Sequence, residues 1–329
     1  MNYAQYIREI ARGPQGGHDL PQDDAQQLYA AMLDGGVPDL ELGALIVGLR
    51  VKGESLGEML GFMNAVDERT SRIAMPHGRV RPVVLPTYNG ARKEANLTPL
   101  LALLLQRFGV PVLVHGLLEG HGRITTALIL RELGIMPAAS LTQAEAGLEQ
   151  TGLAFVPLTA LCPGLHNLLA LRSSLGLRNS AHSLAKLLNP FAGDALLVAS
   201  ATHPEFLDLM RDILVERGQR ALLLRGTEGE GFANPKCRPR LELVRDGLVS
   251  TLFEAEHESL RPMPHLPEAA EAATTARWIR RVLDKELPLP KPIANQLACL
   301  LYASGYAEDF NQAKAIVAVE ATGLLVGGN

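Results

Sequence analysis

The stretch Tyr88-Asn89-Gly90-Ala91-Arg92-Lys93 places a lone glycine and two fixed cations between a short apolar run, Val83–Leu85, and the longer apolar run that follows Thr98. Thr98 is the expected N-cap of a helix with Pro99 at its first position. Such a helix turns free N–H groups and the positive end of its dipole toward the loop, which makes the loop a place for an anion. Arg92 and Lys93 add a planar fork and a point charge. With Asn89 and Gly90 they suit one phosphate of a nucleic-acid backbone, which needs no glycine cradle. The competing reading is two cations that only solvate a surface loop.

Further candidates lie downstream. Arg178 and Asn179 precede a helical run in which His182 and Lys186 fall one turn apart on one face, and Arg172 lies just before them. They could contact phosphate and sugar; alternatively Asn179 or Ser180 caps the helix and His182 is a polar bystander. Lys236, Arg238 and Arg240 alternate, so an extended backbone would align them on one face. That row is either part of a polyanion surface or charge that keeps an edge strand soluble. Arg225 ends a strand-like run at the carboxyl edge of the expected sheet, where open α/β sheets bind ligands. His115 is either a phosphate contact or a buried histidine bonded to a backbone carbonyl. Glu228 and Glu230 either order the arginines around them or preserve a weak metal site.

The charge distribution gives these candidates a context. The chain has 329 residues and a formal net charge of −4, yet residues 73–132 carry seven basic and three acidic side chains, and residues 160–193 carry three basic and none acidic. Residues 217–241 add six basic against two acidic. Convergent basic segments would make a polyanion surface; scattered ones would be solvated faces. Aromatics make up 5% of the chain, too few for serial base stacking and consistent with sequence-indifferent backbone binding. The nine histidines form no HxH or HxxxH pair, so no metal site is expected. Cys162, Cys237 and Cys299 are far apart, which suggests reduced thiols in a cytoplasm. Neither a signal peptide nor an apolar run of membrane-spanning length is recognisable, so no membrane contact is expected.

The elements that must position these residues follow from periodicity. The first 70 or so residues read as short helices with brief turns. At about Ile73 the texture changes, with Pro76, Gly78 and Pro82 as a linker. Val83–Leu85, Pro111–His115, Ala195–Ala199 and Ala221–Leu224 read as buried strands. Helices are expected from Thr98 to Phe108, Ile124 to Leu133 and Glu205 to Arg217, and a hairpin turning at Asp246–Gly247. Helices return from Thr274 to Leu283, from Ile293 to Ala303 and after Glu308. Strands alternating with helices predict an α/β domain with a mostly parallel sheet flanked by helices, beside a small N-terminal helical bundle.

Three segments carry a family resemblance: VPDLELGALIVGLRVKGESLGEMLGFMNAV, the strand–loop–helix–strand from Val83 to Gly116, and LRSSLGLRNSAHSLAKLLNP. In type and order they resemble the anthranilate phosphoribosyltransferases, from about residue 15 to 325. The resemblance implies the phosphoribosyltransferase and nucleoside-phosphorylase type of fold. It further implies a helical domain of residues 1–74 joined by an inserted segment of about 162–190, and an α/β domain of residues 75–161 and 191–329. A cleft between the domains would be lined by Arg172, Arg178 and Lys186 as well as the loop, and helical domains would pair in a homodimer.

The departures matter as much. The family loop Gly-Thr-Gly-Gly-Asp-Gly becomes Pro86-Thr87-Tyr88-Asn89-Gly90-Ala91, and Lys-His-Gly-Asn becomes Val114-His115-Gly116-Leu117. The acid pair that binds magnesium falls at Gly231-Phe232, and a family histidine becomes Cys162, while the anthranilate-contacting arginine persists as Arg172. These changes are similar to those of an offshoot of the family that binds nucleic acid without sequence preference. The expectation is therefore a cytoplasmic homodimer that holds DNA or RNA in a basic interdomain groove, with no cofactor and no anthranilate transfer. The alternative is a glycosyl or phosphoribosyl transferase with an unidentified acceptor, using magnesium and phosphoribosyl diphosphate.

Overall fold

Glycine and proline breaks cut the N-terminal region into α1 (Tyr3–Ile10), α2 (Gln22–Leu33), α3 (Asp39–Lys52) and α4 (Leu56–Glu68). The alternating part follows with β1 (Val83–Thr87), α5 (Thr98–Arg107), β2 (Val112–Gly116), α6 (Thr126–Glu132), α7 (Leu141–Thr151) and β3 (Leu153–Pro157). Short helices α8 (Leu158–Leu161), α9 (Pro163–Ala170), α10 (Arg172–Leu175) and α11 (Ala181–Leu187) interrupt it. Then come β4 (Leu196–Ala201), α12 (Pro204–Glu216), β5 (Ala221–Arg225), β6 (Leu241–Arg245), β7 (Leu248–Phe253), α13 (Ala272–Leu283), α14 (Lys291–Ala303) and α15 (Phe310–Ile316). The structure, a computed structural model, describes residues 2–13, 16–120, 122–258 and 264–321. One unit comprises Met1–Arg72 and Leu158–Pro190, the other Ile73–Pro157 and Phe191–Asn329.

In the helical unit, small residues let helices approach closely. A Cβ at Gly61 on α4 would lie 2.3 Å from the Gln22 carbonyl at the start of α2, and Tyr29 stacks on Phe62 at 4.4 Å between ring centroids. Ser55 and Glu58 form a capping box at the start of α4, and the buried Glu58 also receives the Lys52 ammonium at 2.7 Å. Gly164 opens α9 where a Cβ would meet the Leu33 carbonyl at 2.3 Å.

In the α/β unit the strands pair in the order β3-β2-β1-β4-β5-β6-β7. The pairs from β3 to β5 are parallel, and β6 and β7 close the sheet as an antiparallel hairpin. β1 to β5 are buried along almost their whole length, which requires apolar runs such as Val83–Leu85 and Leu196–Ala199 instead of alternation. Helices α5, α6, α13 and α14 supply the aliphatic core around them. Order reverses at β1, which has β2 on one side and β4 on the other. Loops leaving the carboxyl ends of these strands therefore open the crevice typical of such sheets. Gly116 is required there, because a Cβ would lie 1.9 Å from the Thr87 carbonyl oxygen.

The expected mixed α and α/β architecture is the one observed, including the hairpin turn, where Asp246 and Gly247 have φ of 54° and 74°. Sequence periodicity did not mark β3, although Gly152 and Pro157 bound its short apolar run. Among the described residues no helix is long and apolar enough to cross a membrane.

Candidate functional site

The loop between β1 and α5 is already full. Every backbone N–H from Asn89 to Glu94 has a partner, and five of those six donate to two carboxylates of the same chain. Asn89 and Gly90 donate to Glu230 Oε1 at 2.8 and 2.7 Å. Arg92, Lys93 and Glu94 donate to Glu228 Oε1 at 3.2, 2.7 and 2.7 Å. Ala91 donates to the Ile124 carbonyl at 2.9 Å. The second Glu230 oxygen accepts from the Thr87 hydroxyl at 2.5 Å and, weakly, from the Thr98 hydroxyl at 3.5 Å. Glu230 is 0% exposed. Its partners, two backbone amides and two threonine hydroxyls, lie at the start of α5.

A tight turn delivers both acids. Glu230 N–H bonds the Thr227 carbonyl at 2.9 Å, with Glu228 and Gly229 between them at φ of 51° and 89°. Two successive positive φ values define a turn that glycine adopts freely and glutamate at a cost on the order of 1 kcal/mol. Behind it, the buried Gln296 of α14 accepts from Ala233 N–H at 2.7 Å and donates to the Gly231 carbonyl at 2.8 Å. Burial acts to raise the Glu228 carboxyl, but the three amides of residues 92–94 and Arg123, 3.2 Å away, overcome it and hold the group below the usual carboxylate range.

Thr98 is therefore not the N-cap. It is the first helical residue, Leu97 precedes it as the cap, and Asn96 Oδ1 accepts the Thr98 N–H at 3.1 Å. The Asn96 amide also reaches Thr126, which bonds Thr87, so the donors around Glu230 form one buried network. His115 lies beside it, with Nδ1 2.5 Å from the Tyr88 hydroxyl. Tyr88 and Phe232 are buried and so unavailable for base stacking. The Asn89 side-chain amide is also buried, and neither its nitrogen nor its oxygen has a hydrogen-bond partner.

The cations sort into two kinds. The Arg92 and Lys93 side chains are exposed, and no carboxylate among the described residues pairs with them. Arg225 is exposed at the end of β5 and donates to the Thr202 carbonyl at 3.1 Å. Lys236, Arg238 and Arg240, by contrast, do not form a row of uncompensated charge. Lys236 pairs with Glu94 at 2.7 Å, Arg238 with Glu256 at 3.5 Å and Arg240 with Glu254 at 3.1 Å. A turn at Pro235–Lys236 breaks the extended backbone that their alternation assumed, and Arg238 stacks over Phe253 at 4.7 Å.

In the helical unit, Asn179 serves the local fold: its amide bonds the Leu168 carbonyl at 2.8 Å and its oxygen accepts the Ala181 N–H at 3.1 Å, while Ser180 is the N-cap of α11 without a side-chain bond to it. His182 follows it into that helix. Burial, with Arg178, Arg172 and Lys186 adding repulsion, drives the His182 imidazole down to about 3. The three cations thus act on a single imidazole, in a segment whose sequence from 160 to 190 holds no Asp or Glu.

Could these residues hold magnesium with a sugar diphosphate? They do not fit it. Magnesium needs carboxylate oxygens that are open to it. Glu228 and Glu230 spend theirs on amides, hydroxyls and Arg123, and among the described residues no three His, Cys, Asp or Glu side chains gather as a metal site. Their role as ligands of the loop escaped sequence reasoning. The available signal was Gly-Thr-Glu-Gly-Glu-Gly, two acids framed by glycines where a sharp turn can present them.

Known proteins resemble the chain in sequence and in fold. Residues 4–70 match the helical bundle domain of a glycosyl transferase family. The chain is 45% identical to the uncharacterised protein YbiB of Escherichia coli over 308 residues, 93% of this chain and 96% of the relative. It is 26% identical to the anthranilate phosphoribosyltransferase of Methanosphaerula palustris over 310 residues, 93% and 91% of the two chains. The crystal structure of anthranilate phosphoribosyltransferase from Thermus thermophilus superposes with a TM-score of 0.76 at 24% identity, covering 98% of this chain and 95% of that one. The Saccharomyces cerevisiae enzyme in complex with phosphoribosyl diphosphate and magnesium superposes with a TM-score of 0.74 at 14% identity, covering 98% and 93%.

Proposed function

The chain belongs to the anthranilate phosphoribosyltransferase-like family, and from that premise we propose that it has turned the scaffold from transfer to holding: fixed cations grip the phosphodiester backbone of DNA or RNA without regard to sequence. The observation that carries this reading is the filled loop. The donors that would take a diphosphate are spent on Glu228 and Glu230, while Arg92 and Lys93 project from the same loop without an acidic partner among the described residues. The half-buried Arg172, in a stretch of sequence without Asp or Glu, supports it further.

Contacts of this type release counterions, so log K falls with log salt at a slope of about −0.9 per phosphate neutralised on a duplex. Fluorescence polarisation of a labelled duplex across a salt series tests this. Arg92→Ala/Lys93→Ala should flatten the slope by about 1.8. Binding weaker than micromolar, or unchanged by salt, would remove the reading.

The protein would act as a cytoplasmic homodimer through the helical unit. On α3, Leu40, Val47 and Val51 are 83%, 37% and 55% exposed at a spacing that aligns them in one apolar stripe. Two linked binding surfaces would gain avidity on long strands. A second reading is phosphoribosyl transfer to an unidentified acceptor, with magnesium and phosphoribosyl diphosphate. The likeness to the anthranilate phosphoribosyltransferases favours it, but it requires residues 226–231 to leave the loop.

A further inference from the structure

The loop after β1 combines five backbone amides, two threonine hydroxyls, the N-terminus of a ten-residue helix and a nearby guanidinium, Arg123. Donors of that kind and number suit a phosphorylated anion. What fills them is a pair of carboxylates two residues apart, presented by a turn that places a glutamate at φ 51°. A non-glycine residue persists in that region only where its surroundings over-determine it. The buried Asn89 amide, with no partner on either atom, marks the same loop as imperfectly matched to its present occupant.

We infer that the 226–231 turn is a built-in competitor. The carboxylates of Glu230 and Glu228 stand in for two phosphate groups and close an oxyanion site that the chain still possesses. Glu230 is the inner plug, on Asn89, Gly90 and Thr87; Glu228 is the outer one, on residues 92–94. In the closed state free phosphate and pyrophosphate are excluded. Removal of the plugs leaves donors that water fills only in part and another oxyanion satisfies together. The inference rests on the same filled loop as the proposed function but does not require nucleic acid as a ligand. A turn that served only to brace the fold would also be missed when cut, but an added anion would not replace it.

The test compares wild type, Glu230→Ala, Glu228→Ala and the double variant by thermal unfolding in chloride, phosphate and pyrophosphate at matched ionic strength. Calorimetric titration with pyrophosphate runs in parallel. Wild type should shift by no more than about 1 °C between salts, since a ligand that is not bound gives no mass-action stabilisation. Each single variant should melt lower in chloride and recover saturably in pyrophosphate, and the double variant should bind pyrophosphate at least tenfold more tightly than wild type. A folded double variant with no saturable binding, or wild type that binds equally well, overturns the inference. If Glu230→Ala does not fold in chloride, refolding in phosphate decides: recovery only with the oxyanion supports the plug, and recovery in neither salt refutes it. Repeating the series in an Arg92→Ala/Lys93→Ala background separates the two ideas. Nucleic-acid binding should fall there while anion rescue persists. Loss of rescue in that background would place the anion on the surface cations and contradict the plug.

Discussion

The loop after β1 and the segment from Arg172 to Lys186 both look, as sequence, like places for an anion, and they differ in what the chain has put beside them. The loop carries its own acids: Glu228 and Glu230 take five of its amides, and even neighbouring Lys236 is paired with Glu94. The Arg172–Lys186 segment has no acid in its own stretch of sequence, and burial, with its cations adding repulsion, holds the His182 imidazole well below its ordinary range. The difference teaches that basic composition alone does not locate a polyanion site. In the loop the backbone donors are already occupied by the chain's own carboxylates.

The largest expected effect comes from emptying the loop. Glu230→Ala strips a fully buried acceptor from two amides and two threonine hydroxyls, and should destabilise the α/β unit by about 3–5 kcal/mol in denaturant unfolding. A loss under about 1 kcal/mol would mean the contacts are incidental. The next effect belongs to the other region. His182 is held far below its ordinary value, so the unfolded chain binds a proton that the folded chain refuses. Stability should therefore fall as pH drops from about 6.5 toward 3, by up to about 1.4 kcal/mol per pH unit. Glu228 works at the lower end of this range with a simple sign. Its carboxyl is depressed, so its contribution is present above the unfolded glutamate value of about 4.3 and is lost as pH falls through the lower folded value. His182→Gln should flatten the pH 4–6 part of the profile and leave the more acidic part unchanged; an unaltered profile would show that burial and the neighbouring cations do not depress the imidazole.

Smaller effects divide the cations. Arg92→Ala/Lys93→Ala should weaken duplex binding about tenfold at physiological salt, since each neutralised phosphate contributes its share of the salt slope. Lys236→Ala should change it less than twofold, because that charge is already compensated by Glu94. Equal losses from both variants would erase the distinction between occupied and open cations.

Much of the architecture was legible. Buried parallel strands are short apolar runs bounded by breakers, and Asp246-Gly247 names its own turn. β3 was missed although Gly152 and Pro157 bound it, because periodicity does not tell so short an apolar run from a buried helix segment. The cap at α5 was misassigned because Thr98 has the right chemistry one position too late, and Asn96 performs the bonding instead. The positive row at Lys236–Arg240 was misleading because its acids, Glu94, Glu254 and Glu256, lie far off in sequence. The same holds for the plug: Glu230 and Asn89 are 141 residues apart, a pairing that no local pattern encodes.

The central claim, that this loop is closed by its own chain, is tested most directly by titrating the wild-type protein with phosphoribosyl diphosphate and magnesium in a calorimeter. The account expects no saturable heat up to about 1 mM ligand, a dissociation constant corresponding to only about 4 kcal/mol of binding. Micromolar, magnesium-dependent binding that disappears when Thr87 and Asn89 are replaced would contradict it.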